Sequence, residues 1–193
     1  MMHGLIIAEL HNFVVAKFGN DAWKALLKEA GIRDTRRYFP ILTYPDEEVL
    51  SLVGTASRLT GIDAQLLLED FGQFIVPSLL DVYGIVIPAG WKMLDVLEHT
   101  EDLIHQMVRK STHHSSPPFL ECRRTSDNEV VIVYKSQRRL CAVARGILKG
   151  FGERFRENIH IVESTCQQKG HSVCTIAVTA AGTAIGAARG RTG

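Results

Sequence analysis

The sequence predicts an α+β fold in which an N-terminal helical lobe packs on a C-terminal lobe with a mainly antiparallel sheet and helices. Two observations favour it. Apolar residues recur at helical spacing through about residue 110, and the chain beyond alternates hairpin, helix and hairpin. Helices segregated from strands along a chain are typical of this class. With 193 residues, the chain is long enough to bury a sizeable core.

Five helices are predicted before residue 111, each from an apolar stripe. The first ends at Gly19, a residue suited to a left-handed stop, and the third begins at Pro45, which three acidic residues follow. Pro77 is expected to end or kink the fourth helix. The five stripes comprise Leu5, Ile6, Leu10, Phe13 and Val14; Trp23, Leu26 and Leu27; Val49, Leu50, Val53, Ala56 and Leu59; Leu66, Leu67, Phe71, Phe74 and Ile75; and Leu94, Leu97, Ile104 and Val108.

The remainder of the chain predicts two hairpins that flank one helix. Extended prolines at Pro117 and Pro118 form a stiff corner before the first hairpin. Small and glycine-rich residues at the end of the sequence predict a flexible tail. The predicted ranges are strands at 119–124 and 129–134, a helix at 139–155, strands at 159–166 and 172–178, and the tail at 179–193.

Composition excludes several classes of function. A formal net charge of +1, spread along the chain, gives no electrostatic case for nucleic acid or an anionic membrane. Polar residues interrupt the first 18 residues, which therefore make a poor signal peptide. We expect a cytoplasmic location, where thiols stay reduced. The four cysteines are then free thiols or metal ligands rather than a disulfide framework: Cys122, Cys141, Cys166 and Cys174.

The fifth helix carries the first candidate for a binding site. His105 falls at the edge of its apolar stripe, one turn after Glu101, whereas His99 falls on the opposite face. An imidazole at such an edge is either a core histidine held by a hydrogen bond or a ligand for a group buried beside the helix. The helix pattern alone leaves both interpretations open.

A polar motif follows the second predicted strand. Alternate residues Tyr134, Ser136 and Arg138 would lie on one side of an extended strand end. A phenol, a hydroxyl and a guanidinium together suit carboxylates or phosphates. The alternative is a solvated edge of the sheet.

A third candidate is a set of sulfur and imidazole ligands. Cys166 and Cys174 flank the turn of the last hairpin, which also holds His171, and Cys141 begins the preceding helix. Three thiols and an imidazole would satisfy a tetrahedral zinc site, although cysteine is also commonly buried for its own sake. The sequence has no nucleophile elbow, phosphate-binding loop or HExxH motif, so we do not expect an enzyme.

These residues resemble those of the H-NOX family, the heme nitric oxide/oxygen binding domains. The family includes the sensor domain of soluble guanylate cyclase and free-standing bacterial gas sensors. The resemblance covers nearly all of residues 1–178. It is carried by the opening Met2-His3-Gly4-Leu5-Ile6, the junction Phe18-Gly19-Asn20-Asp21-Ala22-Trp23, the segment Leu103-Ile104-His105, the corner Pro117-Pro118-Phe119, and the motif Tyr134-x-Ser136-x-Arg138.

The resemblance implies roles for these positions. Residues 1–178 would form one heme domain, with a helical subdomain at about 1–62, a heme-binding subdomain at 63–178 and heme b between the lobes. His105 would be the axial ligand of the iron. Pro118 would press on the porphyrin, and the motif of Tyr134, Ser136 and Arg138 would hold the propionates. The apolar pocket residues would be Ile6, Leu10, Phe74, Ile75, Leu79 and Val143.

The resemblance also implies a ligand and an output. Oxygen-binding relatives place a tyrosine where this chain has Val143, so we predict a sensor of nitric oxide, also able to bind carbon monoxide, that excludes oxygen. Nitric oxide would weaken the bond between iron and His105, and the lobes would then move. The signal would pass to a separate histidine kinase or cyclic-di-GMP enzyme.

An alternative function is a thiol or zinc redox sensor built on the three cysteines. Some bacterial relatives bind zinc there and use a histidine three residues before the middle cysteine, where this chain has Glu163. The fourth zinc ligand is therefore open between Glu163, His171 and His160.

Overall fold

The computed structural model describes residues 1–111 and 115–181 and confirms the α+β class. A π-helical turn, Glu101–His105, joins the sixth and seventh helices. The elements are β1 (Met2–His3), α1 (Gly4–Phe18), α2 (Asn20–Glu29), β2 (Thr43–Tyr44), α3 (Asp46–Thr60), α4 (Ala64–Phe74), α5 (Val76–Tyr83), α6 (Met93–Thr100), α7 (Gln106–Ser111), β3 (Phe119–Ser126), β4 (Glu129–Lys135), α8 (Cys141–Phe155), β5 (Ile159–Thr165) and β6 (Cys174–Ala180).

Both predicted hairpins are confirmed, and they form one antiparallel sheet in the order β3-β4-β6-β5. The last strand continues to Ala180, two residues into the predicted tail. Its extension is held because Ala180 pairs with Ile159 and its N–H donates to the Asn128 carbonyl, at 2.8 Å. Residues 182–193 of that predicted tail lie outside the described residues.

A second, two-stranded pairing at the start of the chain was not predicted. Met2 pairs with Tyr44, and His3 pairs with Thr43. The next residue is Gly4, where a Cβ atom would overlap the carbonyl oxygen of Phe39. Only a glycine lets the start of α1 approach the loop between α2 and β2 this closely. The pairing fixes the first residues of the chain beside α3.

The helical path continues past Pro77 rather than ending there. Pro77 lies in the first turn of α5, where its missing N–H removes no intrahelical hydrogen bond. The chain is therefore divided into two helices at Ile75. The second one, α5, carries Leu79 and Tyr83 one turn apart on the same face.

The helices α4 and α8 cross at unusually short distance. A Cβ atom on Gly72 would overlap the Val143 carbonyl oxygen, and one on Gly146 would overlap the Glu69 carbonyl oxygen. Glu69 also accepts from Arg145 of α8, with Nε 3.0 Å from Oε2. Glycines permit the contact and the ion pair reinforces it, so α8 is held firmly against the helical lobe.

Two clusters of buried apolar residues form the core. One joins α1–α4, and the other joins α6, α8 and the sheet. The predicted boundary between subdomains at residue 62 stays a prediction. Among the described residues, no helix is both long enough and apolar enough to cross a membrane.

Candidate functional site

A cavity of about 240 Å³ lies between the two core clusters. A single water needs only about 10–15 Å³ on the same measure, so the space far exceeds a packing defect. Its walls come from both lobes: Leu10 and Phe71 belong to the helical cluster, and Ile132 and Leu148 to the sheet cluster. The space suits a large, mainly apolar group.

His105 lines this cavity and stands at the end of the π-helical turn. The turn is defined by the Gln106 N–H, which donates to the carbonyl of Glu101 five residues earlier. Such wide turns are frequent at functional sites. The imidazole is 16% exposed, and its Nδ1 lies 3.2 Å from Oε2 of Glu101. Nδ1 is thus engaged, which leaves Nε2 as the nitrogen able to bind a ligand.

The charge state of the imidazole follows from its burial. Burial lowers the pKa of His105, although the Glu101 carboxylate and the Pro118 carbonyl pull it back upward. The ring is neutral at physiological pH and keeps a lone pair for a metal. By contrast, His99 is exposed, as predicted, and its Nδ1 lies 2.9 Å from the Asp95 carbonyl oxygen.

Tyr134, Ser136 and Arg138 all line one region of the same cavity. Alternation along the strand holds through Ser136: Tyr134 and Ser136 are buried, and Lys135 between them is exposed. The chain then turns, because the Arg139 N–H donates to the Ser136 carbonyl at 3.2 Å and Arg139 has a φ of +53°. The turn, rather than the strand, brings Arg138 to the cavity.

The Arg138 guanidinium is 9% exposed and is engaged on three sides. Its Nε lies 2.7 Å from Oδ1 of Asp46, and its other two nitrogens donate to the carbonyls of Ser116, at 2.6 Å, and Met1, at 2.8 Å. These contacts use three of the five N–H donors of an arginine. Two donors remain to bind a carboxylate. Burial also raises the pKa of the Tyr134 phenol, which therefore stays a donor.

The proline corner lies where the sequence predicted it. Residues 115–118 have no regular secondary structure and line the cavity, and β3 begins directly after them. The Pro118 carbonyl accepts from Arg109 of α7, at 3.0 Å. This bond ties the corner to the helix that follows His105.

The structure corrects part of the predicted apolar lining. Ile6, Leu10, Leu79 and Val143 line the cavity. Two predicted residues, Phe74 and Ile75, do not line it, because both pack within the helical lobe instead. The Phe74 ring is partly exposed and packs edge-on against Phe13, and Ile75 is fully buried in the helical core cluster.

Sequence reasoning missed several polar residues of the lining, among them His3, Tyr83 and Thr100. His3 accepts from the Leu5 N–H at 3.2 Å, and Thr100 donates to the Val96 carbonyl at 2.7 Å, so both are engaged locally. Burial raises the pKa of Tyr83. Continuing the helical pattern past Pro77 would have found Tyr83, since it lies one turn beyond Leu79.

The three predicted cysteines converge behind the polar end of the cavity. Cys141, Cys166 and Cys174 are buried, and their sulfurs lie within 4.8 Å of one another. The Sγ atoms of Cys141 and Cys174 are 3.1 Å apart. Burial raises the pKa of both thiols. A thiol is a weaker nucleophile than a thiolate.

The predicted fourth zinc ligand does not join this cluster. His171 is exposed, and its Nδ1 faces the backbone of Cys166 within its own turn. Glu163 is paired with Arg145, at 3.1 Å, and His160 is exposed. Within residues 1–111 and 115–181, no further histidine, cysteine, aspartate or glutamate completes the group. Zinc is therefore not supported, and the redox-sensor alternative is not favoured.

The cavity residues do fit a heme. One imidazole of the lining presents a free Nε2, which is a common iron ligand. Apolar walls from both lobes suit the porphyrin face. The phenol of Tyr134, the hydroxyl of Ser136 and the spare donors of Arg138 suit two carboxylates. A bare metal ion would not need so large an apolar space.

Comparison with known proteins agrees with this assignment. The family model described as Haem-NO-binding matches residues 3–163. Two soluble guanylate cyclases of Caenorhabditis elegans are similar: gcy-32 is 21% identical over 79% of this chain, and gcy-35 is 23% identical over 80%. The chain spans only 23% of the length of each cyclase.

Solved structures are similar over almost the whole chain. The H-NOX protein of Shewanella oneidensis in the Fe(II)NO ligation state has a TM-score of 0.86 and 28% identity, covering 93% of this chain and 99% of that one. Its Fe(II)CO structure has a TM-score of 0.83, with 28% identity and coverage of 94% and 100%. This chain therefore belongs to the haem-NO-binding, or H-NOX, family and is a heme gas-sensor domain.

Proposed function

We propose that this domain senses nitric oxide and discriminates against oxygen. The supporting observation is the apolar lining at Ile6, Leu10, Leu79 and Val143, whose side chains carry no hydrogen-bond donor. Bound oxygen carries partial negative charge and is stabilised by such a donor, whereas nitric oxide and carbon monoxide need little help. The lining also includes the phenol of Tyr83, which could donate a hydrogen bond. Its effect on ligand choice therefore has to be measured separately from that of the apolar residues.

We propose that His105 converts gas binding into movement. When bound, the heme iron supplies the coordination position at which a diatomic gas binds. His105 would hold the iron from the π-helical turn, and a His105 side chain that is no longer held would allow α6 and α7 to shift. Arg138 bonds to Asp46 of the helical lobe, and Pro118 bonds to Arg109 of α7, so a shift of α7 and the proline corner near Arg138 would change the relative placement of the lobes. A sensor requires two such states with different affinity for its ligand.

We infer that the domain signals in the cytoplasm without catalysing a reaction itself. By analogy within the family, the receiving protein would be a histidine kinase or a cyclic-di-GMP enzyme. The guanylate cyclases that this chain resembles are much longer chains, of which it matches 23%. Their cyclase activity is not carried over to this domain.

The test is an absorption spectrum of the purified ferrous protein. The Soret band should shift with nitric oxide and with carbon monoxide but stay unchanged in air. His105→Gly should lose most of its heme unless imidazole is added, and the exposed His99→Gly on the same helix serves as the control. A stable oxygen complex in air would refute the selectivity. An unchanged heme content in His105→Gly would refute the site itself.

A further inference from the structure

The structure assigns a role to Glu101, which the proposed heme site alone leaves unexplained. Its carboxylate is partly buried, and it bonds to three different elements. Oε2 lies 3.2 Å from Nδ1 of His105 and also accepts from the Leu120 N–H of β3, at 3.1 Å. Oε1 accepts from Arg109 of α7, at 2.5 Å. One side chain therefore connects the cavity imidazole to the sheet and to the next helix.

The chemistry of these contacts depends on which atoms donate. A carboxylate beside Nδ1 requires the proton to be on that nitrogen, so Nε2 keeps its lone pair toward the cavity. A charged acceptor on the far nitrogen also raises the basicity of the coordinating one. The Arg109 guanidinium and the Leu120 N–H both donate to the carboxylate and hold it in place, and Arg109 partly balances its charge. The orientation of the imidazole is thus set by the β3 backbone as well as by its own helix.

The contact spans the π-helical turn from its first residue to its last. Glu101 and His105 are the two ends of that turn, and the backbone bond from Gln106 to Glu101 closes it. Arg109 extends the connection, since it also donates to the Pro118 carbonyl, at 3.0 Å. Any displacement of His105 must therefore break or pull on bonds that lead directly to β3 and the proline corner.

We propose that Glu101 is a positioning residue for the iron ligand, and that it couples His105 to the proline corner and β3. The inference rests on the proposed heme site and concerns how its axial ligand is tuned. It predicts a stronger iron–histidine bond than a backbone acceptor alone would give. It also predicts that, without the carboxylate, a displacement of His105 no longer displaces β3.

The experiment compares three variants in the heme-loaded protein. Glu101→Ala removes the acceptor, and Glu101→Gln keeps an oxygen of the same reach without the charge. Asp102→Asn is the matched control, because this neighbouring carboxylate is exposed and accepts only from Gln106 among the described residues, at 2.8 Å. If the alanine variant fails to fold, the glutamine variant still decides the question, because it preserves the volume and one acceptor.

Resonance Raman spectra of the unliganded ferrous protein report the iron–histidine stretch. The band should move to lower frequency in Glu101→Ala, by a smaller amount in Glu101→Gln, and not at all in Asp102→Asn. Nitrogen-15 NMR of the ferrous carbon monoxide complex reports the Nδ1 proton of His105. Its solvent exchange, and that of the Leu120 amide, should accelerate by about tenfold or more in Glu101→Ala.

An unshifted Raman band and unchanged exchange in both Glu101 variants would overturn the inference. A purely structural role would lower the midpoint of thermal unfolding and leave the Raman band in place, which also contradicts it. Failure of the proposed function would be seen in the native protein and not in the Glu101 variants. In that case the native protein itself would hold no histidine-ligated heme.

Discussion

Arg138 and Asp46 form an ion pair across the two lobes, with Nε 2.7 Å from Oδ1. Asp46 is the first residue of α3, whereas Arg138 follows β4, 92 residues later. The same guanidinium donates to the carbonyl of Met1, and the amino group of Met1 lies 3.4 Å from Oδ2 of Asp46. A single arginine thus joins the start of the chain, α3 and the polar end of the cavity.

Asp46→Asn should weaken this junction. Arg138, a largely buried side chain, would lose its carboxylate partner from α3 and with it this link between the lobes. We expect a loss of about 1–2 kcal/mol in the free energy of unfolding, measured by denaturation of the heme-loaded protein. The control is Asp21→Asn, whose side chain is exposed and lies 3.9 Å from Lys24, and which should show no measurable change. Equal stability of the two variants would contradict a role for the pair.

Val143→Tyr should convert the cavity toward oxygen binding. A phenol at this position of the lining supplies the donor that the apolar residues lack. The ferrous variant should give a new Soret maximum in air, whereas the native protein and Tyr83→Phe should not. A change in the response of Tyr83→Phe to nitric oxide or air would show that Tyr83, rather than position 143, controls ligand choice.

Gly146→Ala should destabilise the crossing of α4 and α8. The new Cβ would overlap the Glu69 carbonyl oxygen, so the helices must separate. Overpacking of this kind costs about 1–3 kcal/mol. Gly54→Ala is the matched control, because Gly54 is also in a helix, α3, and a Cβ there meets nothing within 4 Å. That variant should gain about 0.5–1 kcal/mol, as measured by thermal unfolding of both proteins.

The same crossing should make stability depend on pH. Burial opposes ionisation of Glu69, but bonds from Lys149 and Arg145 lower its pKa below the ordinary 4.5. A folded-state pKa below the unfolded one gives stability that is present above the ordinary value. That stability is lost as the pH falls through the lower, folded value. Denaturation of Glu69→Gln at a series of acidic pH values should show a shallower dependence than the native protein, and an identical slope would contradict it.

Local patterns explain why so much of this fold was predictable from the sequence. The helical stripes and alternating strands depend on residues within a few positions of one another, and they placed His105 and the Tyr134–Ser136 pair correctly. Pro77 lies in the first turn of α5. From the residue type alone, a proline can either end one helix or begin the next, so the sequence did not decide between them. The two-residue strands β1 and β2 are too short to have a period.

The connections that complete the site are long-range, and no spacing rule reveals them. Acidic residues are common at the start of a helix, and this alone explains Asp46 in the sequence. Nothing in the sequence therefore indicated that Asp46 also pairs with Arg138. Glu101 accepts a hydrogen bond from the Leu120 N–H, 19 residues away. Almost every residue has a backbone N–H, so the residue type at position 120 gives no sign of this bond. Phe74 and Ile75 were misplaced because the apolar stripe of α4 is wide enough to face two neighbours.

The π-helical turn at Glu101–His105 also determines how the residues after it are rotated about the helix axis relative to α6. One extra residue in a helix turns everything beyond it by roughly 100° relative to an uninterrupted α-helix. The angle between the buried face of α6 and the imidazole of His105 therefore depends on the one extra residue that the π-helical turn holds relative to an α-helical turn. Insertion or deletion of one residue at this turn would therefore turn the imidazole of His105 away from the cavity. The histidine and its neighbouring side chains would all be retained.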